Sequence, residues 1–334
     1  MPIVFSESSN LANTIYGKCE APVRMFLEQR AEAFDQNSLL KDLFLMGTSE
    51  NYGDLLGTMT AMNGFQPVGE NGAYPSDSME EGYQKLIVYE TWKDEFTITQ
   101  EMIEDAKLMD MKKQPAAFMT GYERTRELFG AAIYAAFLKG AGSVKFRGRT
   151  FDTKGADGRP ICDKTHPAKV KGANQSNRFS NTFSAANLGL VETAMQNFKG
   201  DNDEILDIRP DTILIPNDAA MKNAVFEAIG ADKNPVNANN AFNYQYGRWN
   251  VIIWPYLNQF LGTGGDPVWA LVDSTYNKEY GGAVWNDRIP LTVRTVIDEN
   301  TDAAKWKGRA RFNATGSDWR FIAVGGVTGG TSLS

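Results

Sequence analysis

Residues 46–90, MGTSENYGDLLGTMTAMNGFQPVGENGAYPSDSMEEGYQKLIVYE, constrain this chain more than any other stretch. Gly47, Gly53, Gly57, Gly64 and the Gly69–Gly72 pair supply turns, and β-branched apolar residues are few. A compact domain rarely holds so long a segment without a core of its own. Such a segment is disordered, a functional lid, or an arm that packs on another copy of the protein. The arm is the favoured reading, because the longest and cleanest helix signal of the chain follows, from Pro115 to Lys139. Phe118, Tyr122, Thr125, Phe129, Ala132, Ile133, Ala136 and Phe137 repeat there with a 3.6-residue period, and Gly140 ends the run. A supported spine next to an unsupported loop describes a building block rather than a catalyst.

The 334 residues allow about two domains. No apolar run approaches the ~18 residues of a membrane span, and the N-terminus lacks the basic start of a secretory signal. Cys19 and Cys162 read as reduced thiols of a cytosolic folding environment. Net charge is −7, against a role in coating nucleic acid as a whole. The charge is unevenly spread. Residues 46–90 carry Glu50, Asp54, Glu70, Asp77, Glu80, Glu81 and Glu90 against Lys85 alone. Residues 145–178 carry nine bases, among them Arg147, Arg149, Lys154 and Arg159, against three acids. Two readings stay open: two solvated loops, or a complementary pair that meets between subunits and sets register.

The remaining periodicities predict a helix over Asn13–Phe34 broken near Pro22, and a strand over Tyr83–Phe96 as the return limb of an extended hairpin. They predict a capping box at Thr97–Gln100 with a short helix to about Met109, and a basic loop or twisted hairpin over 140–183. Ser184 is expected to cap a helix lined by Leu188, Val191, Met195 and Phe198. A strand follows at Asp211–Ile215, then a helix capped by Asn217 and closed at Gly230. Strands at 249–254, 267–273, 289–297, 309–314 and 319–324 complete the chain. Alternation over 184–273 marks an α/β layer of its own, and the late strands are placed to return to the sheet under the long helix.

Catalytic chemistry has little to work with. His166 is the single histidine, so any Ser-His-Asp or Cys-His arrangement must use it, and a structural or solvated role outweighs a catalytic one. His166, Cys19 and Cys162 lack metal-ligand spacing, and the Asp152–Gly158 run fails the calcium-loop pattern at Lys154 and Ala156. No catalytic residue, cofactor or metal is expected. Phe146, Phe151 and Phe179 among the bases of 145–178 resemble a nucleic-acid stacking surface only weakly.

Several motifs, in order and spacing, resemble one family. Phe96–Ile103 (FTITQEMI), Glu127–Leu138, Asp157-Gly158 with Cys162 and His166-Pro167, and Gln175-Ser176-Asn177 are followed by Arg209–Pro216 (RPDTILIP). Pro255-Tyr256-Leu257, Arg288–Leu291, Ala310-Arg311-Phe312 and Asp318-Trp319-Arg320 complete the set. Over about residues 10–325 the chain resembles the major capsid proteins of tailed bacteriophages with the Hong Kong 97-type fold, closest to the phage Mu-like head subunits. The resemblance implies an α+β fold with an N-terminal arm (1–45), an extended E-loop (46–95), the first part of a P domain with the spine helix (96–185), an A domain (186–286) and returning P-domain strands (287–334). It implies hexamers and pentamers that close an icosahedral shell around the genome. The partners are then other copies of the chain, a scaffolding protein, a portal, decoration proteins and, non-specifically, packaged DNA, with no membrane. The location is the virion, after assembly in the host bacterial cytoplasm. The expected assembly contacts are Leu55, Leu56, Met59, Met62, Phe65 and Tyr74, with Glu70, Asp77, Glu80 and Glu81 facing Arg147, Arg149, Lys154 and Arg159. Members with a long N-terminal scaffolding segment differ from this chain, which implies a separate scaffold or a mature start. Lys85 lies near the base of the loop, so the family's Lys–Asn cross-link is not carried over. Two alternatives remain: an encapsulin-like compartment around protein cargo, and a soluble α/β hydrolase with an acidic pair and a lid.

Overall fold

The computed structural model describes residues 4–5, 17–59, 67–68, 70, 73–74, 81–105, 108–230, 242–261, 268–298, 301 and 303–333. The first half runs β1 (Val4–Phe5), α1 (Gly17–Asn37), α2 (Leu40–Leu43), β2 (Leu45–Thr48), β3 (Gly53–Met59), β4 (Glu81–Val88), β5 (Glu90–Ile98), α3 (Gln100–Glu104), α4 (Leu108–Lys139), β6 (Ser143–Phe146) and β7 (Arg149–Asp152). The second half runs α5 (Ala185–Gln196), β8 (Thr212–Pro216), α6 (Ala219–Ile229), β9 (Asn250–Trp254), α7 (Leu257–Leu261), β10 (Trp269–Val272), α8 (Ser274–Tyr280), β11 (Ala283–Asp298), β12 (Ala303–Gly316) and β13 (Ile322–Gly325).

Two sheets organise the body. In the first, β11 and β12 form a long antiparallel pair, β5 adds antiparallel to β12, and β1 and β2 lie parallel to β11. Residues of β12 alternate: Ala304, Trp306, Ala310 and Phe312 are buried, while Lys305, Lys307, Arg309 and Arg311 lie on the other face. The buried face packs on α4, whose Phe129, Ile133, Tyr134 and Phe137 meet Phe44, Trp285 and Phe312. Trp92 and Phe312 stack with centroids 5.0 Å apart.

The second sheet has the order β13-β10-β8-β9. Leu214, Ala270, Val272, Ile322 and Val324 join the α4 core; Ile213, Ile215, Leu271 and Ala323 join a second core with Leu188, Val191 and Met195 of α5 and Val225 of α6. Both faces are covered, which is why TILIP, WALV and IAVG are nearly continuous apolar runs. The α/β layer expected over 184–273 is present. The last strand, however, joins this sheet through β10 rather than the sheet under α4.

Several local expectations change. The helix α1 runs through Pro22 unbroken, and α4 begins at Leu108, so Pro115 lies inside it. Its 32 residues span about 48 Å. Thr97 is not a cap: it pairs with Lys305 in the sheet, and Thr99 takes the capping position, accepting from the Met102 N–H at 3.4 Å. The single strand expected over Tyr83–Phe96 is two, interrupted at Tyr89, because β4 pairs with β3 and β5 with β12. Ser184 caps α5 as expected, but Asp218 rather than Asn217 caps α6. Gly140 ends α4 with φ +66°, and Arg147-Gly148, both at positive φ, make the two-residue turn between β6 and β7.

Glu127 of α4 is buried where α1 and β9 approach. It accepts from the Ser38 hydroxyl at 2.6 Å and the Trp254 indole N–H at 3.2 Å. Burial holds its carboxyl above the ordinary 4.5, outweighing the bonds from Ser38 and Trp254 that lower it. The folded chain therefore keeps this proton to higher pH than the unfolded chain. Its contribution is full below 4.5 and lost as pH rises toward the raised value. Chemical unfolding should show wild type losing stability relative to Glu127→Gln as pH rises above 4.5. A difference that does not change with pH contradicts this.

Candidate assembly surface

The hairpin β3–β4 leaves the first sheet at Tyr89. Its register runs from Gly53 opposite Val88 to Met59 opposite Glu81, with an irregularity after Gly57. A polar knot fixes its root. The Tyr89 hydroxyl donates to Asp54, Asn286 Nδ2 donates to the Tyr89 oxygen at 3.1 Å, and Asn51 Nδ2 donates to Asp54 at 3.1 Å. Burial would raise the Asp54 carboxyl, but hydrogen bonds from Tyr89, Ser49, Asn51 and Asn286 together hold it below its ordinary value. Asn313 Nδ2 and an Arg311 guanidinium N–H donate to the carbonyls of Val88 and Tyr89 at 2.8 and 3.1 Å.

The return limb is tied to the basic segment of the same chain. Lys169 Nζ donates to the Gly82 carbonyl at 2.6 Å and lies 5.6 Å over the Tyr83 ring. Burial, with Asp201 and Asp157 nearby, raises the Tyr83 hydroxyl. Lys85 Nζ donates to the Lys154 carbonyl and sits 3.5 Å from Asp152. Burial lowers this ammonium, and Asp152 opposes the shift. Arg149 pairs with Glu90. Gly82 is required by close approach, since a Cβ there would fall 1.9 Å from the Thr58 carbonyl oxygen. A Cβ at Gly47 would fall 2.4 Å from Asn286 Oδ1, and neither glycine has positive φ.

Beyond these ties the limbs show apolar side chains to solvent. Leu55 is 60% exposed, Leu86 59% and Tyr74 97%, and Tyr52 and Val68 are also exposed. Leu56 is half-buried and Glu70 exposed. Met59 and Glu81 are paired in the hairpin backbone. Met62, Phe65, Asp77 and Glu80 lie outside the described residues. Of the four expected basic contacts, Arg149 meets an acid of the hairpin root and Lys154 offers its carbonyl to Lys85; Arg147 and Arg159 are exposed, with no ion pair to the hairpin among the described residues. The acidic and basic segments thus touch at the root within one chain. No motif forecast the Lys169–Gly82 tie; a lysine and a backbone carbonyl 87 residues apart leave no pattern in sequence.

Chemistry elsewhere is structural. His166 is fully buried, with Nδ1 2.7 Å from Asp157 Oδ2 and Nε2 3.2 Å from Asn177 Oδ1, and it stacks on Trp319 at 4.3 Å. Asn177 Nδ2 donates to the carbonyls of Ile161, Trp319 and Ile322, so its oxygen faces the histidine. Arg320 bridges Asp201 at 3.0 Å and Asp318 at 3.3 Å beside it. Burial pushes the Cys162 thiol up to about 12, which keeps it unreactive. Among the described residues no cluster of three His, Cys, Asp or Glu could hold a metal, and no helix is long and apolar enough to cross a membrane.

Residues 83–325 match the model of the family described as phage capsid protein. No curated protein matches the chain. A solved chain of Mycobacterium phage Patience aligns over 100% of this chain and 95% of its own, with TM-score 0.50 and 11% identity. The capsid of Ralstonia phage GP4 covers 86% and 89% of the two chains (TM-score 0.49, 10% identity), and the capsid of an empty GTA particle 88% and 90% (TM-score 0.45, 14% identity). The α+β fold is of the Hong Kong 97 type, and the family match favours a phage shell over a cargo compartment or a hydrolase. The chain belongs to the phage capsid protein family: it is a major capsid protein, a subunit of a viral head shell.

Proposed function

We propose that the chain assembles as hexamers and pentamers into an icosahedral head, with the β3–β4 hairpin lying over a neighbouring copy. The observation that carries this is a hairpin rooted by polar contacts yet presenting Leu55, Leu86 and Tyr74 to solvent. Obligate interfaces of this kind bury about 2,000 Å² or more, and several neighbours per subunit turn modest contacts into a stable shell. In this reading residues 1–45 are the arm, 46–95 the E-loop, 96–185 the first part of the P domain, 186–286 the A domain and 287–334 the return. The expected apolar contacts, Met62 and Phe65 among them, bury on docking.

The reading is non-enzymatic. Its partners are further copies, a scaffolding protein, a portal, decoration proteins and packaged DNA met non-specifically. The subunit assembles in the bacterial cytoplasm and ends in the virion, and its motifs favour the Mu-like subgroup. Electron microscopy of the purified chain, alone and with its scaffold, tests this. Closed shells with five- and six-fold clusters are expected; monomers or dimers under every condition contradict it.

A further inference from the structure

Thr120, Glu123, Glu127, Gly130 and Tyr134 run down one face of α4, at helical spacings of three and four. This face is turned toward α1 and α2. Thr120 Oγ1 accepts from the Arg30 guanidinium at 2.9 Å, Glu127 Oε1 accepts from the Ser38 hydroxyl at 2.6 Å, and the Tyr134 hydroxyl donates to the Leu43 carbonyl. A Cβ at Gly130 would fall 2.4 Å from Leu40 Cδ2. Two carboxyls one turn apart therefore lie in the seam. Glu127 is buried, and one oxygen of Glu123 is buried with no hydrogen-bond partner among the described residues. The apolar grip of α1 is small for a helix of 21 residues. Val23, Leu27 and Ala31 are its buried apolar residues among those described, and Met25 is 58% exposed. Of the described elements, α4 alone packs extensively on α1.

We propose that α1 is a proton-gated strap: it stays docked on α4 while Glu123 and Glu127 hold protons, and it lifts away when both ionise. The inference concerns the subunit alone and stands apart from the shell reading. Ionising both acids places like charges on adjacent turns of one helix, beneath a second helix that keeps water out. Among the described residues few groups offset them. From α1, Arg30 faces Glu123, but its hydrogen bond goes to Thr120. The chain after α1 brings the Ser38 hydroxyl and the Leu39 backbone to Glu127, and β9 brings the Trp254 indole, none of them charged. On α4 itself Arg126 lies beside Glu127, but its guanidinium is committed to Asp287 of β11.

Burial raises both carboxyls above the ordinary 4.5; Arg30 opposes this at Glu123, and the bonds from Ser38 and Trp254 oppose it at Glu127. The docked state thus holds these protons to higher pH than a state in which α1 has lifted and water reaches both acids. The seam is at full strength below 4.5 and weakens as pH rises through the raised values. A lifted α1 remains tethered on both sides, so the step is reversible. Before it, β1 pairs with Thr292 and Val293 of β11; after it, Leu40 and Leu43 of α2 sit in the main core.

The test uses the full-length chain as free subunits. Hydrogen exchange, read by mass spectrometry on peptides of residues 17–37, is followed from pH 4.5 upward, with labelling times scaled for the intrinsic pH dependence of amide exchange. Protection of α1 is expected to fall by about tenfold or more, the factor carried by one unit of carboxyl shift, while α4 and the β11–β12 pair keep theirs. Glu123→Gln/Glu127→Gln keeps the shape of both side chains but cannot ionise, and should hold α1 protected across the same range. No loss in wild type, loss shared equally by α4, or equal loss in the double variant overturns the proposal. If the double variant folds poorly, carbon-13 spectra of the wild-type glutamate carboxyls decide, each signal assigned by its single Gln variant. Ionisation of Glu123 and Glu127 in step with the loss of α1 protection supports the strap; ionisation together with the exposed glutamates overturns it. None of these outcomes depends on whether shells form.

Discussion

Replacing residues 60–80 with an Asn-Gly turn is expected to give a folded subunit that forms no shells. The cut joins Met59 to Glu81, which already face each other across the hairpin, and a two-residue turn of this kind suits an antiparallel pair. The root remains whole. Tyr89, Asp54, Asn286 and the Lys169 tie to Gly82 all lie outside the excised segment. Among the described residues, those of both hydrophobic cores lie outside it. The melting temperature should therefore stay within about 4 °C of wild type, the shift that roughly 1 kcal/mol produces in a domain of this order. Shell yield, by sedimentation and electron microscopy, should fall to background, because each subunit loses its reach to several neighbours at once. Normal shells from this variant would remove the hairpin from the account. A subunit that no longer folds would show that the segment belongs to its own body.

The largest effect on the subunit itself is expected at Arg126. Its guanidinium is buried on α4 and donates to both carboxylate oxygens of Asp287, at 2.7 and 3.1 Å. It lies 4.7 Å from the Trp285 ring centroid and 5.0 Å from that of Phe312. This one side chain joins the long helix to the centre of the β11–β12 pair. Arg126→Ala leaves the Asp287 carboxylate without its partner next to a core. Breaking such a buried pair costs about 3–5 kcal/mol, far more than its formation contributes net. Arg126→Met keeps the volume but also strands the carboxylate. Arg126→Met/Asp287→Leu removes both charges and should recover most of the loss. Chemical unfolding of the three variants checks this. An Arg126→Ala cost below about 1 kcal/mol would mean that water reaches the pair.

Much of the fold was legible because its signals are local. The 3.6-residue stripe from Phe118 to Phe137 marks α4, Ser184 with Leu188 and Val191 marks α5, and continuous apolar runs mark β8 and β10. Boundaries failed where tertiary pairing outweighed local preference. Thr97 looks like a helix cap but is held by Lys305 of β12. Tyr83–Phe96 reads as one strand, yet its two halves pair with different partners. Pro22 and Pro115 suggest helix boundaries, and both helices run past them.

The candidate site was half legible. The acidic, glycine-rich stretch reads as an arm, and Leu55 and Tyr74 within it are exposed. The basic run 145–178 was legible as charge, but not its role as a clamp on the hairpin root.

The central claim is that the hairpin is buried by sister subunits rather than by its own body. Hydrogen exchange of the backbone amides over residues 50–88, in dissociated subunits and in intact shells, measures this directly. Slowing by about tenfold or more on assembly, concentrated in the hairpin and absent from the α4 core, is the predicted result. Equal protection of the hairpin in the free subunit and the shell would contradict it.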